Sequence, residues 1–443
     1  AWPVKTLLLR SLANNLSPQA VFREGNFFGK PQSPWRARCC ALPVFSWSGT
    51  KVQWPERCLL RLWASQMTLS VEDFLLSIQK LILGNDLNTT YKLALVLAVT
   101  NKAGEIPFVN HPDAEVFEIS YRELALEFLR IYWPQAKAYP RADKSAVKDA
   151  VLRQSFGGSN ALVISLIQAF QERLCPADAQ WLTFLQAQRF EKDFDRLVKD
   201  CQTRVLKKNP LQYMQGYKFL FDKDDRTNRI YVRREVAVLL CRFQPIVQEL
   251  IFSRWEKMLR SIRANSGVLG ETPESTLRDF LFYPHRSETL AAIRDVLRES
   301  TPAQTCFYCG CKLDSGCDVD HFLPYSRFAH TRTFNFVLAC PKCNRSKSDR
   351  LAASGHLFHW MDRNETYAEA IIECSRERLE AGAVLVSEMA AQQYDRAVNR
   401  ERFWLRAVAD EAPETQLLQG AEIEAVLNRL HDHARVMCRF ECP

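Results

Sequence analysis

CFYCGCKLDSGCDVDHFLPYSRFAHTRTFNFVLACPKCNRSKSDRL, residues 306–351, is the stretch around which the rest of the chain is organised. Two Cys-x-x-Cys pairs, Cys306/Cys309 and Cys340/Cys343, bracket it with thirty residues between them. Four thiolates at that spacing can close a tetrahedral zinc site. Such a closed site offers no position to substrate, so its work is to clamp the ends of a segment too small to hold itself by burial. Between the pairs, Asp318-Val319-Asp320-His321 reads as a short strand delivering Asp320 and His321 at its end. Residues 334–339 read as the returning strand. Pro341, a residue favoured in the first helical turn, opens a helix carrying Cys343, Asn344 and Lys347. Cys311 and Cys317 fall inside the loop and either compete for zinc or stand by; standing by is the reading adopted.

This pattern, CxxC…DH…P…N…CxxCN..K, resembles the HNH (His-Me finger, ββα-metal) endonuclease motif in its zinc-knuckle variant. It is also similar to the HNH domain of RNA-guided CRISPR nucleases, and the likeness covers about forty-five of 443 residues. The resemblance implies that His321 is the general base, that Asp320 and Asn344 hold the catalytic metal, and that Asn335 pins the inter-strand loop and orients His321. Asn344 stands where many family members carry a final His. Carboxylate and amide oxygens are hard donors, which favours Mg²⁺ or Mn²⁺, with Zn²⁺ kept for the cysteines. A neutral imidazole with a pKa near ~6.5 suits deprotonation of water at physiological pH. Lys347, one turn after Asn344, is expected to hold a phosphate oxygen, with Arg345 and Arg350 as weaker backbone contacts.

Few glycines and many helix formers predict a mainly α chain with a small embedded ββα-metal unit, α+β as a whole. No apolar run reaches the ~18 residues of a membrane helix, so no membrane partner is expected. Fifteen cysteines in a long chain with a metal-type cluster point to a reducing, cytoplasmic setting. The net charge of +8 is uneven: residues 1–66 hold nine Lys/Arg against Glu24 and Glu56, a balance of +7, leaving +1 for residues 67–443. Met67 is the first methionine and Ser70-Val-Glu-Asp73 directly after it is a helix start. Translation is therefore expected to begin at Met67, with 1–66 as upstream sequence read in frame; the alternative is a basic arm that orders on nucleic acid.

The remaining organisation is read as a helical domain over 67–210, a hairpin plus basic helical region over 211–300, the HNH unit with its four-cysteine zinc site over 301–355, and C-terminal helices over 356–443. Helices are expected at 90–100, from the Ser120/Glu123 capping box to Pro134, and over 143–155, 159–174 and 177–207. A hairpin is expected at 217–232 with KFLF and RIYV as its strands, then a helical run over 233–263 broken at Pro245, and a helix capped by Ser287. C-terminal helices are expected over 366–381, 384–410 and 414–437. Residues 202–265 carry fourteen Lys/Arg against six Asp/Glu, including Lys207, Lys208, Arg233 and Arg234. That bias fits either a surface following a DNA backbone or a solvated helix face.

The flanks YKLALVLAV, RIYWP and FLFYPHR resemble larger bacterial HNH proteins associated with defence against phage and mobile DNA. Together the resemblances imply an HNH endonuclease or nickase acting on DNA, double-stranded by expectation, with a homodimer or a defence-system protein as partner. Two alternatives stand beside it: a catalytically silent, zinc-stapled nucleic-acid-binding adaptor, and a nuclease active only within a larger defence complex.

Overall fold

The computed structural model describes residues 69–441, except 85–86, 107, 109–110, 112, 141–149, 158–159, 176–180, 215–216, 271–273, 284–285, 302–304, 315–316, 377 and 409–411. The N-terminal stretch 1–66 thus lies outside the described residues, as do most of the helix expected at 143–155 and the side chain of the cap assigned to Ser287.

The described chain opens with α1 (Val71–Leu83), capped where Ser70 Oγ accepts the Asp73 N–H at 3.0 Å. Replacing such a cap by Ala costs ~1 kcal/mol. Helix α2 (Tyr91–Gly104) is apolar on every side, and Leu93 to Val99 are all buried, which makes it the central rod of the body. β1 (Val116–Ser120) leads into α3 (Tyr121–Tyr132), whose capping box is complete: Ser120 Oγ accepts the Glu123 N–H, and the Glu123 carboxylate accepts the Ser120 N–H at 2.8 Å. Pro134 ends that helix and begins a short 3₁₀ turn.

α4 (Leu162–Leu174), α5 (Phe184–Ala187) and α6 (Glu191–Asp200) follow. The single helix expected over 177–207 is broken, because Thr183 starts a new capping box and α6 passes into a π-helical stretch, Cys201–Leu206. Trp133, Phe170, Phe184 and Phe194 pack edge to face around this break. The described end of the expected helix at 143–155 is not helical, and Ser155 bridges Thr89. Gln154 satisfies the buried polar groups there, accepting from Trp255 Nε1 at 2.9 Å and donating to Gln135 Oε1 at 2.9 Å.

After α7 (Pro210–Tyr213), β2 (Asp222–Asp224) and β3 (Arg229–Arg233) form an antiparallel sheet with β1, in the order β1-β3-β2. The first strand of the expected hairpin is thus DKD. Residues 218–220 of KFLF form a turn instead, and Leu220 and Phe221 drop into the core. α8 (Arg234–Arg242) and α9 (Gln244–Ser261) meet at a 74° bend, with Pro245 in the first turn of α9. α10 (Arg263–Leu269), α11 (Glu274–Phe282) and α12 (Arg286–Ser300) complete the body.

β4 (Asp318–His321) and β5 (Phe336–Ala339) pair antiparallel and are followed by α13 (Pro341–Lys347). A 3₁₀ turn, Thr333–Asn335, takes the first part of the expected returning strand. The chain ends with α14 (Ser354–Thr366), α15 (Ala368–Ser375), α16 (Ala383–Ala397), the hairpin β6 (Phe403–Arg406) and β7 (Glu414–Gln416), and α17 (Ala421–Glu441). That hairpin replaces the end of the helix expected over 384–410. Backbone bonds hold it there: Trp404 N–H donates to Leu351 C=O at 2.8 Å, and Ala353 N–H to Trp404 C=O at 2.7 Å. Among the described residues the fold is mainly helical with three small sheets, and they form one compact unit. No single described helix is long and apolar enough to cross a membrane.

Candidate nuclease site

Strand pleating sorts the side chains of β4 onto two faces. Phe336, the cross-strand partner of His321, packs with Leu338, Ile293 and Leu297 on the α12 side. His321 follows it, its ring 4.3 Å from that of Phe336 and 5.7 Å from that of Tyr325. Asp318 and Asp320 point to the other face, towards α13.

On that face two rungs join β4 to α13. Asn344 Nδ2 donates to Asp318 Oδ2 at 3.0 Å, and one turn further on Lys347 Nζ lies 3.0 Å from Asp320 Oδ2. Lys347 also donates to the His321 carbonyl at 2.7 Å, and Tyr308 OH donates to Asp320 Oδ2 at 2.6 Å. The Lys347 side chain is 0% exposed, which corrects the expectation that it holds a phosphate oxygen; it is an internal counter-ion. Burial pushes the Asp320 carboxyl up, against Lys347 and Tyr308, which pull it down. Burial likewise pushes the Lys347 ammonium down, against Asp320. Both shifts say that desolvation outweighs attraction within the pair.

Asn335 is fully buried and its amide takes both backbone groups of Leu323, accepting the N–H at 2.8 Å and donating to the C=O at 3.0 Å. Its own carbonyl accepts the Phe322 N–H at 2.7 Å. The two residues following His321 are thereby tied to the start of β5.

The sulfurs of Cys306, Cys309, Cys340 and Cys343 all lie within 4.8 Å of one another, with Cys309 and Cys340 3.8 Å apart. Zn–S bonds of ~2.3 Å in a tetrahedron separate sulfurs by ~3.8 Å, so the donor set fits zinc. Cys340 caps α13 and Cys343 sits in its first turn, while Gly310, at φ +71°, closes the knuckle after Cys309. Burial raises the Cys309 thiol, but hydrogen bonds from Cys311, Cys306 and Cys343 bring it down to about 7. Cys311 is exposed beside the cluster, bonded to Cys309 and Cys340. Cys317 is buried away from it among Ile293, Leu297 and Phe336, accepting from Arg298. His356 and His359 pack around the knuckle, the first bonded to the Leu405 carbonyl and stacked on Trp404, the second stacked on Phe307.

Arg345 is exposed, its Nε donating to the Pro341 carbonyl at 3.2 Å, and Arg350 is half-buried. Arg233 pairs with Glu235 at 2.9 Å. Arg234 donates to the His111 carbonyl at 2.6 Å and lies over Phe108 and Phe117, so its charge serves the fold. Lys207 lies over the Tyr121 ring and Lys208 is exposed.

Two residues at the site escaped the sequence reading. Asp318 was legible from strand alternation, two residues before Asp320 and so on its face. Tyr308 carried no signal, since its bond to Asp320 spans twelve residues across the knuckle.

Fold and site together define a zinc-knuckle ββα unit set in a helical body. Residues 306–353 match the family model described as HNH endonuclease, and residues 71–277 match a domain of unknown function (DUF8808). No curated protein and no solved structure matches the chain. The HNH match and the four-cysteine cluster fit an HNH endonuclease and support nuclease activity on nucleic acid.

Proposed function

We propose that residues 306–353 form a metal-dependent endonuclease or nickase centre that hydrolyses DNA phosphodiester bonds. The observation that carries this is the set of oxygen donors on one face of β4, Asp318 and Asp320 against the Asn344 amide; His321, the last residue of the strand, turns to the opposite face beside Phe336 and Tyr325. Asp320 engages Tyr308 and Lys347 through Oδ2, and its carboxylate also accepts the His321 N–H. Asp320, Asn344 and Asp318 would hold Mg²⁺ or Mn²⁺, and a divalent ion there supplies neutralisation of the charge that grows on the phosphate and leaving oxygen.

In this reading His321 accepts a proton from the attacking water. Asn335 holds the loop that fixes the direction of His321, and Lys347 keeps Asp320 and the His321 carbonyl in register. Arg345 and Arg350 serve the DNA backbone, with Lys207 and Lys208 as more distant contacts, whereas Arg233 and Arg234 are engaged within the fold. One such unit cuts one strand, so a double-strand break needs a homodimer or two successive nicks. Action in the cytoplasm against foreign DNA, alone or within a larger defence complex, belongs to the same proposal.

A second reading, a silent zinc-stapled adaptor, draws on the internal Lys347 counter-ion that already balances Asp320. Supercoiled plasmid incubated with the protein and Mg²⁺ separates them. Cleavage lost in both His321→Ala and Asn344→Ala is the expected result; DNA binding without cutting in the unaltered protein supports the adaptor. Cutting that requires added neighbouring gene products marks the complex-dependent form.

A further inference from the structure

Beside His321 the helical body and the nuclease unit share a groove of about 440 Å³, walled by Ile246, Leu250 and Phe252 of α9, by Tyr283 and by Tyr325. Its volume lies in the range of small-ligand sites. Tyr325 stands between groove and site: its ring meets that of His321 edge-on at 5.7 Å, and its hydroxyl lies 3.4 Å from that of Tyr283. Tyr325 is 39% exposed and Ile246 52%, so the mouth presents apolar surface to solvent. The floor is firm, with Phe252 stacked on Phe282 at 4.0 Å and edge-on to Tyr283.

We propose that this groove takes one nucleobase of the strand being cut, splayed from its neighbours and stacked on Tyr325 and Tyr283. The inference rests on the nuclease reading of His321 and adds a substrate preference to it. Among the described lining residues there is no Lys or Arg, and Glu249 is held by Arg278, so nothing in the groove attracts a phosphate. Aromatic and aliphatic walls with a few polar groups at the rim suit a flat heteroaromatic ring, and every base offers a face for stacking. A strand with its phosphate at His321 brings the adjoining nucleotide to Tyr325. An unpaired base enters without breaking a pair, so single strands, flaps and frayed ends are favoured over continuous duplex.

The test uses full-length His321→Ala protein, a single-stranded oligonucleotide carrying 2-aminopurine, and the matched duplex. Anisotropy reports affinity and the probe's fluorescence reports its stacking. Tyr325→Ala is expected to weaken single-strand binding about five- to hundred-fold and to abolish the position-dependent fluorescence change, while Tyr325→Phe keeps both. Zinc content checks that each variant is folded. Three results overturn the inference: unchanged single-strand affinity and fluorescence in Tyr325→Ala and Tyr283→Ala, equal losses in the Ala and Phe variants, or capture of apolar peptide with no base signal. If the plasmid is still cut by the unaltered protein, those results remove only the base groove. Absence of all nucleic-acid binding and cutting removes the nuclease reading with it.

Discussion

Lys347→Met leaves the Asp320 carboxylate buried with its counter-charge gone. The pair is dry, with side-chain exposures of 0% and 8%. Removing one partner of a buried ion pair costs about 3–5 kcal/mol, because the survivor remains uncompensated. At ~1.4 kcal/mol per power of ten, this is about two to almost four powers of ten in local opening. Hydrogen exchange read by mass spectrometry on peptides from β4, β5 and α13 measures that opening directly. The pH dependence gives a second constraint. Burial holds the Asp320 pKa above its ordinary value, and removing Lys347 takes away an influence that lowers it. A carboxyl whose folded pKa exceeds its unfolded one contributes stability present below the unfolded pKa and lost as pH rises through the folded one. The deficit of Lys347→Met is therefore largest at neutral pH and shrinks towards acid. Asp320→Asn/Lys347→Met, with neither charge left, should regain much of the loss. Unchanged protection at neutral pH, or a deficit that grows as pH falls, would refute the buried pair as described.

Zinc removal, by chelator or by Cys340→Ser, should take the metal content measured by plasma mass spectrometry from one zinc per chain to none. It should also raise exchange across 306–351, since the knuckle carries Tyr308 and with it one hold on Asp320. Asn335→Ala leaves the Leu323 N–H and C=O unpaired in a dry site at about 1–3 kcal/mol each, and is expected to stop plasmid cutting while DNA affinity measured by anisotropy is kept. His330 is buried against Gln244, and burial, reinforced by Arg332, lowers its pKa from 6.5 to about 3. The stability it contributes is present above pH 6.5 and is lost between there and about pH 3, at ~1.4 kcal/mol per pH unit. Urea unfolding of His330→Gln across that window should show a flatter acid slope than the parent.

The features legible in the chain without its fold are local. The two Cys-x-x-Cys pairs, the DVDH strand end, Pro341 at the head of α13 and the caps at Ser70 and Ser120 act over three or four residues, so spacing alone exposes them. The all-round apolar run of α2 likewise announces a central helix, because periodicity is a property of the segment itself. Tertiary contacts settled the rest, and spacing does not encode them. Tyr308 reaches Asp320 and Lys347 neutralises it only once the knuckle has brought β4 and α13 together. β1 is a strand because β3, more than a hundred residues away, supplies its partners. The helix expected to continue to 410 stops at Ala397, and Trp404 then pairs with the backbone of Leu351 and Ala353 at the end of the nuclease unit, with its ring fully buried and bonded to Ser346. Helical propensity is worth tenths of a kcal/mol per residue, whereas burying one large aromatic ring is worth several-fold more, so packing overrules the local preference wherever the two disagree.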